Sequence, residues 1–153
     1  VTCSAAISAC EKCHQWQFAL ALLASMPHLR AAPDAVSYSA AISACERGGR
    51  WQLAFVLLSS MLRNGVAPNV ITCCALMSSC EKGVHWELAL ALLSIMPEFR
   101  VAPDHVGYSS AISACAKAGR WQCALGLLSS MPDMRLLPSV ISCSAAISAC
   151  EQV

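Results

Sequence analysis

Apolar residues along the chain recur at helical spacing, in short segments separated by turn signals. In the segment 36–47, apolar positions stand at i, i+3, i+4 and i+7, which places them on one face of a helix. These positions are Tyr38, Ala41, Ile42 and Cys45. Gly48 and Gly49 follow, and glycine adopts positive φ without steric cost. We therefore predict a helix over 36–47 that ends at this glycine pair.

A second helical segment begins at Trp51 and repeats the same spacing. Its apolar positions are Ala54, Leu57, Leu58 and Met61. Gly65 and Pro68 then stop the pattern. The unit 35–69 is thus predicted to be two short antiparallel helices joined by a tight turn.

This two-helix unit recurs at a constant step of 35 residues. Four residue types keep the step: Trp16, Trp51, Trp86 and Trp121; Met26, Met61, Met96 and Met131; Pro33, Pro68, Pro103 and Pro138; Cys10, Cys45, Cys80, Cys115 and Cys150. A lone helix pair cannot bury its apolar face, whereas stacked pairs can. We predict an all-α fold, an α-solenoid of helix-turn-helix repeats at about 1–34, 35–69, 70–104 and 105–139, with a partial repeat at 140–153.

The second helices should not all end alike. Proline follows the methionine at Pro27, Pro97 and Pro132, whereas Leu62 stands at this position in the second repeat. Proline removes a backbone donor and clashes with the preceding turn. We expect three second helices to end or kink near their methionine, and the second-repeat helix to continue.

Composition excludes some classes of protein. The chain is 57% hydrophobic and 12% charged, with a net charge of +1. A membrane-spanning helix needs about 20 apolar residues in a row, and the longest apolar stretch, 18–27, is about half that length. We expect no membrane span. Because the chain begins within a repeat and without Met, we expect a segment of a longer protein, and no targeting segment is visible in it.

One helix face carries candidate chemistry. On the first helix of the second repeat, Val36, Ser39, Ser43 and Arg47 fall within roughly 80° of one another, away from the apolar stripe. We expect packing to leave this face free. A nucleobase could lie against the apolar residue and hydrogen-bond the hydroxyl, with its phosphate near the cation.

This constellation recurs along the chain. The base-flanking positions are Val1, Val36, Ile71, Val106 and Ile141; the hydroxyl positions are Ser4, Ser39, Ser109 and Ser144, with Cys74 in the third repeat; the phosphate-contacting candidates are Lys12, Arg47, Lys82 and Lys117. The alternative interpretation of the cations is an ordinary solvated helix face. Glu11, Glu46 and Glu81 stand next to three of them and weaken their field.

The pattern Val-x-Tyr-x-x-x-Ile-x-x-Cys…Gly…Ala…Leu-Leu…Met…Val-x-Pro-Asn, from Val36 to Asn69, resembles the pentatricopeptide repeat, and the resemblance covers essentially the whole chain. It implies a right-handed superhelix. The related tetratricopeptide repeat shares the alanine of the second helix, has a period of 34 and binds proteins. A protein-binding helical scaffold of that type is therefore the alternative function.

The resemblance implies that the chain binds single-stranded RNA, with about one base read per repeat by two or three side chains. In the family, base choice depends on the hydroxyl position and the last residue of the same repeat. The resulting pairs are Ser4 with Asp34, Ser39 with Asn69, Cys74 with Asp104, and Ser109 with Ser139. By resemblance these pairs suggest guanine, adenine, guanine or uracil, and a purine, in 5′ to 3′ order. Ser144 has no partner in the shortened last repeat.

The family also implies a place of action. Its members commonly serve RNA metabolism and RNA processing in the mitochondrion or the plastid (chloroplast), and this chain is expected there. The resemblance allows protein partners through the rest of the parent chain.

Other motifs are set aside. Cys10-x-x-Cys13-His14 matches the spacing for haem attachment and half of a zinc site. The equivalents of Cys10 in the other repeats lack both partners, so it belongs to the packed stripe, and we expect no metal and no cofactor. The cysteines are expected to be reduced and mostly buried, with Cys74 more accessible than Cys73.

We also expect no catalysis. The four histidines, His14, His28, His85 and His105, occupy four different positions of the repeat, so they form no repeated site. No phosphate-binding glycine loop or nucleophile motif is present. The tryptophan that begins each second helix is interpreted as a packing residue and not as a base-stacking platform.

Overall fold

The structure, a computed structural model, describes residues 2–151, and the side chains of 3–151. Within these residues it is all-α. The helices are α1 (Thr2–Lys12), α2 (Trp16–Ser25), α3 (Ala35–Arg47), α4 (Trp51–Arg63), α5 (Val70–Gly83), α6 (Trp86–Ile95), α7 (His105–Lys117), α8 (Trp121–Ser130) and α9 (Val140–Glu151). The odd-numbered helices are the first helices of the repeats and the even-numbered ones are the second helices, so the predicted all-α helical repeat fold is confirmed. In this part of the chain no helix is both long and apolar enough to cross a membrane.

The chain forms two compact units, residues 1–79 and residues 80–153. In the first unit α1 packs on α2 and α3, and α3 packs on α4. In the second unit α7 packs on α8 and α9, and α6 packs on α7. A first helix therefore contacts the second helix of its own repeat and also another first helix.

The predicted apolar stripe forms the core. Tyr38, Ala41, Ile42 and Cys45 are all 3% exposed or less. The alanine of each second helix is completely buried, which lets the two helices of a repeat approach closely. These alanines are Ala19, Ala54, Ala89 and Ala124.

The second helices end as their prolines predict. α2 and α6 stop before the methionine and continue as short 3₁₀ turns, Met26–Leu29 and Met96–Phe99. α8 stops at Ser130, before Pro132, whereas α4 runs on to Arg63. Because α4 continues, Asn64 comes within reach of the buried Tyr38, and its Nδ2 donates to the Tyr38 hydroxyl at 2.6 Å.

The turn inside each repeat needs one residue in the left-handed region. Gly49 and Gly119 take this conformation with φ of 66° and 68°. At the same position His14 and Val84 both have φ of 58°. His14 is therefore a turn residue, and Val84 is a β-branched residue in a conformation that strains it.

Candidate nucleic-acid interface

The base-flanking candidates are exposed apolar side chains at one position of the fold. Each is the second residue of its first helix, and the exposed fractions are 55% for Val36, 61% for Ile71, 46% for Val106 and 68% for Ile141. Val1 lies outside the described residues. A single exposed apolar residue is ordinary, but here a branched aliphatic side chain is exposed at the same point of four helices.

The hydroxyl position is less open than predicted. Ser39 is 4% exposed and Ser43 is 8% exposed, so the expectation that both lie on a free face is wrong. The physical reason is that α3 packs against α1 as well as α4, which covers a face that a helical projection of α3 alone leaves open. The Ser39 hydroxyl donates to the carbonyl oxygen of Ala35 at 2.6 Å.

The other members of this position differ in exposure. Ser4, Cys74 and Ser109 are half-buried, and Ser144 is exposed. The Ser109 hydroxyl donates to the His105 carbonyl at 2.7 Å, and the Ser144 hydroxyl donates to the Ile141 carbonyl at 3.0 Å. A hydroxyl that donates to its own helix keeps its lone pairs as acceptors for a ligand.

The last residue of each repeat caps the first helix of the next repeat. The Oδ1 atom of Asp34 accepts from the Ser37 backbone N–H at 2.8 Å and from the Ser37 hydroxyl at 2.7 Å. Both bonds lower the pKa of the Asp34 carboxyl, and the bond from the Ser37 hydroxyl has the larger effect. The Oδ1 atom of Asn69 accepts in the same way from the Thr72 backbone N–H at 2.9 Å.

The third and fourth repeats end with the same kind of cap. The Oδ1 atom of Asp104 accepts from the Gly107 N–H at 2.8 Å, and the Ser139 hydroxyl accepts from the Ser142 N–H at 3.2 Å. This capping role was not predicted from the sequence. The signal was available, since Asp, Asn or Ser directly before a helical segment is the preferred N-cap.

The two predicted reading positions converge in the fourth repeat. The Oγ atoms of Ser109 and Ser139 are 3.4 Å apart, within hydrogen-bonding distance. One lies on α7 and the other at the start of α9. Two side chains of one repeat can therefore approach a single ligand. In the third repeat, Cys74 and Asp104 lie in different units of the chain.

Two of the predicted phosphate-contacting cations form ion pairs with the preceding repeat. The Arg47 guanidinium lies 3.6 Å from the Glu11 carboxylate, and the Lys117 ammonium lies 3.1 Å from the Glu81 carboxylate. The Arg47 and Lys117 side chains are still 43% and 48% exposed. Lys12 and Lys82 are exposed as well.

A cleft in the first unit collects one residue of each predicted class. It has a volume of about 290 Å³ and is lined by Arg47, Ile71 and Cys74, with Glu11 and Glu46 on its wall. This volume is at the lower end for small-ligand sites. The cleft thus brings together a cation, an apolar flank and a position predicted to read a base.

Two of the tryptophans that begin the second helices lie against arginines. The Arg50 guanidinium lies 5.0 Å from the centre of the Trp16 ring, and Arg120 lies 4.9 Å from the centre of the Trp86 ring. These are cation–π distances. The interpretation as packing residues is supported for Trp16 and Trp86, whereas Trp121 is 37% exposed, and the arginine partners were not predicted.

The cysteines of the apolar stripe are buried thiols. Burial raises the pKa of Cys45 and Cys115 to about 11 and that of Cys80 to about 12. Cys73 is completely buried and Cys74 is half-buried, as predicted. Among residues 2–151, histidines, cysteines and carboxylates form no group of three or more that could hold a metal ion.

Solved structures of repeat proteins share this fold. The pentatricopeptide repeat protein PPR10 from maize is 28% identical, with a TM-score of 0.76 over 97% of this chain and 21% of that chain. The structure of PPR10 in complex with an 18-nt psaJ RNA element matches at 23% identity and a TM-score of 0.78, covering 97% of this chain and 22% of PPR10. This chain therefore spans about a fifth of the length of PPR10.

The match to a third solved structure covers more of the other chain. The PPR domain of Arabidopsis thaliana protein-only RNase P 1, solved in complex with tRNA, matches at 17% identity and a TM-score of 0.84, over 95% of this chain and 77% of that one. No curated protein matches the chain.

Two family models match the sequence itself. The model described as the PPR repeat family matches residues 33–82, and the model described as the PPR repeat matches residues 106–136. The first match covers the helix pair α3 and α4, and the second covers the pair α7 and α8. The chain belongs to the pentatricopeptide repeat (PPR) family.

Proposed function

We propose that this chain binds single-stranded RNA with sequence selectivity, reading about one base per repeat, as part of a protein of organellar RNA metabolism. The observation that carries the proposal is the repeated trio of an exposed branched aliphatic residue, a small polar residue one helical turn later, and a capping residue from the next first helix. In the fourth repeat the last two are 3.4 Å apart. The solved complexes of PPR10 with RNA and of the RNase P domain with tRNA support this proposal.

Each member of the trio has a separate task. The aliphatic residue lies against the face of the base, and the polar pair hydrogen-bonds its Watson–Crick edge, as is usual for unstacked single strands. A carboxylate only accepts hydrogen bonds, so Asp34 suits guanine, where the ring N1–H and the N2 amino group both donate. An amide both donates and accepts, so Asn69 suits adenine, where the N6 amino group donates and N1 accepts. The proposed site is 5′-G-A-(G/U)-purine-3′.

In the second repeat the capping residue carries most of the discrimination. Ser39 is 4% exposed and its hydroxyl hydrogen atom is used within α3. Asn69 is half-buried, and its Oδ1 atom makes the cap. The amide Nδ2 of Asn69 is then the group that distinguishes one base from another.

The test is the substitution Asn69→Asp. Asp and Asn are equally good N-caps, so the bond to the Thr72 N–H and the fold are retained. The amide donor becomes an acceptor. Selection from a randomised pool of short single-stranded RNAs should recover adenine at the second base with the natural chain, and guanine or uracil there with the variant. The other bases should stay the same.

The matched control is Asn64→Asp, the same change at the end of the second helix of the same repeat. The Tyr38 hydroxyl accepts from Asn64 and can donate to an aspartate instead, so this contact survives the substitution. The control should select the same RNAs as the natural chain. Tight binding with an unchanged second base in the Asn69 variant would refute the assignment of base reading to this residue.

A further inference from the structure

Glutamates at the ends of the first helices contact polar residues of the next repeat. The Glu81 Oε1 atom accepts from the Ser113 hydroxyl at 2.8 Å and from the Lys117 ammonium at 3.1 Å. In the first unit the Glu46 Oε1 atom accepts from the Ser78 hydroxyl at 2.8 Å. Serine hydroxyls therefore hold the Glu81 and Glu46 carboxylates in place, and the Glu11 carboxylate lies 3.6 Å from the Arg47 guanidinium.

We infer that these glutamates are intramolecular competitors of RNA phosphate, which occupy the cations at the ends of the first helices and keep sequence-independent binding weak. The inference rests on the proposed function. It gives Glu11 and Glu81 a task that the base-reading residues do not have.

The exposure of these ion pairs supports a contact that an RNA phosphate can displace. Glu11 is 24% exposed and Glu81 is 29% exposed, while their cations are more than 40% exposed. A phosphate can therefore reach the free side of each cation. An exposed pair of this kind is worth little to stability and is weakened by salt. The carboxylate and the phosphate offer the same chemistry, an oxygen anion within reach of a guanidinium or ammonium group.

The consequence follows from what phosphate contacts do. They add affinity for any strand and carry no sequence information. With these cations already neutralised, a strand that lacks the base contacts gains little from them. Binding then depends on the base-reading trio, which is the property a selective module needs.

The test replaces both carboxylates by their neutral amides, Glu11→Gln with Glu81→Gln. The glutamine oxygen can still accept from Ser113, so the contact between repeats is retained while the charge is removed. The control is Glu87→Gln with Glu98→Gln, which removes the same charge from two exposed glutamates, one on α6 and one on the 3₁₀ turn that follows it. Both double variants have the same net charge, so any difference between them comes from position.

The measurement is the dissociation constant for the preferred RNA and for a scrambled RNA across a range of salt. Each freed cation steepens the slope of log K against log salt by about 0.7, so the Glu11/Glu81 variant should be steeper than the control by about 1.4. At 0.1 M salt this corresponds to binding that is tighter by up to about 25-fold. The factor should be the same for both RNAs, since only phosphate contacts are added. Glu81→Gln alone should bind both RNAs about fivefold more tightly, and it replaces the double variant in the test if that variant unfolds.

A second arm separates this inference from the proposed function. Inorganic polyphosphate has the charge of a strand but no bases, and the Glu11/Glu81 variant should bind it more tightly than the control does. If the natural chain shows no base preference while this difference persists, the proposed base reading is wrong and the competition stands. If the two double variants bind polyphosphate and RNA equally, the inference is overturned.

Discussion

Replacing Val36 by alanine removes two methyl groups from a side chain that is 55% exposed at the proposed interface. A buried methylene-sized group is worth about 0.8 kcal/mol, and about half of this side chain is open to a base. The loss on RNA binding is therefore about 0.8 kcal/mol, or about fourfold in the dissociation constant. Folding should change little, because the removed groups are mostly in solvent and alanine has a higher helix propensity than valine.

The same change at Val56 is the matched control. Val56 is 58% exposed, on the second helix α4, so Val56→Ala removes the same groups from the same degree of exposure. Dissociation constants for a short RNA carrying the proposed site should rise about fourfold for Val36→Ala and stay unchanged for Val56→Ala. Thermal unfolding should give melting temperatures close to that of the natural chain for both. Equal affinities of the two variants would refute the placement of the bases against the first helices.

Two further predictions concern the fold. Asp34→Ala removes a cap and should cost about 1 kcal/mol of unfolding free energy at neutral pH, whereas Asp34→Asn should keep it. Hydrogen bonds from Ser37 lower the pKa of the Asp34 carboxyl below its ordinary value of 3.8 in the folded state. The stabilisation by the ionised cap is therefore fully present above pH 3.8 and is lost as the pH falls through the lowered pKa. The Asn variant should lack this acid dependence, and identical acid titrations of stability for the two proteins would contradict this account. Val84→Gly should raise the unfolding free energy by about 0.5–1 kcal/mol, since Gly49 and Gly119 take the same left-handed conformation without strain, and a lower melting temperature would contradict this account.

The helices could be predicted because their signals are local. Trp51 begins α4 and Trp86 begins α6, as the repeat predicts. Pro27 ends α2 early and Leu62 lets α4 continue, because the effect of proline on a helix depends only on the turn in which it stands. The apolar stripe was also predictable, since helical spacing alone defines which residues face the partner helix.

The candidate site was predicted only in part, because it depends on how neighbouring repeats meet. The exposure of Val36 follows from its own helix, whereas the burial of Ser39 depends on the approach of α1, which no pattern within α3 reports. The pairing of Glu11 with Arg47 depends in the same way on the offset between two first helices. Glu11 and Arg47 were each predicted on their own helix, but Glu11 was considered only as a neighbour of Lys12.

The capping residues suggest how such an array can change its base preference without changing its fold. Asp34 and Asn69 both cap through Oδ1, and they differ only in the second polar atom of the side chain, an oxygen or an amide nitrogen. Under the proposed function, the shared atom stabilises the helix and the differing atom meets the base, so stability and selectivity are independent at these two positions. Ser139 has a single hydroxyl, which accepts from the Ser142 N–H and also lies 3.4 Å from Ser109. Capping and base reading then compete for one oxygen, so the fourth repeat should discriminate between bases less sharply than the first two.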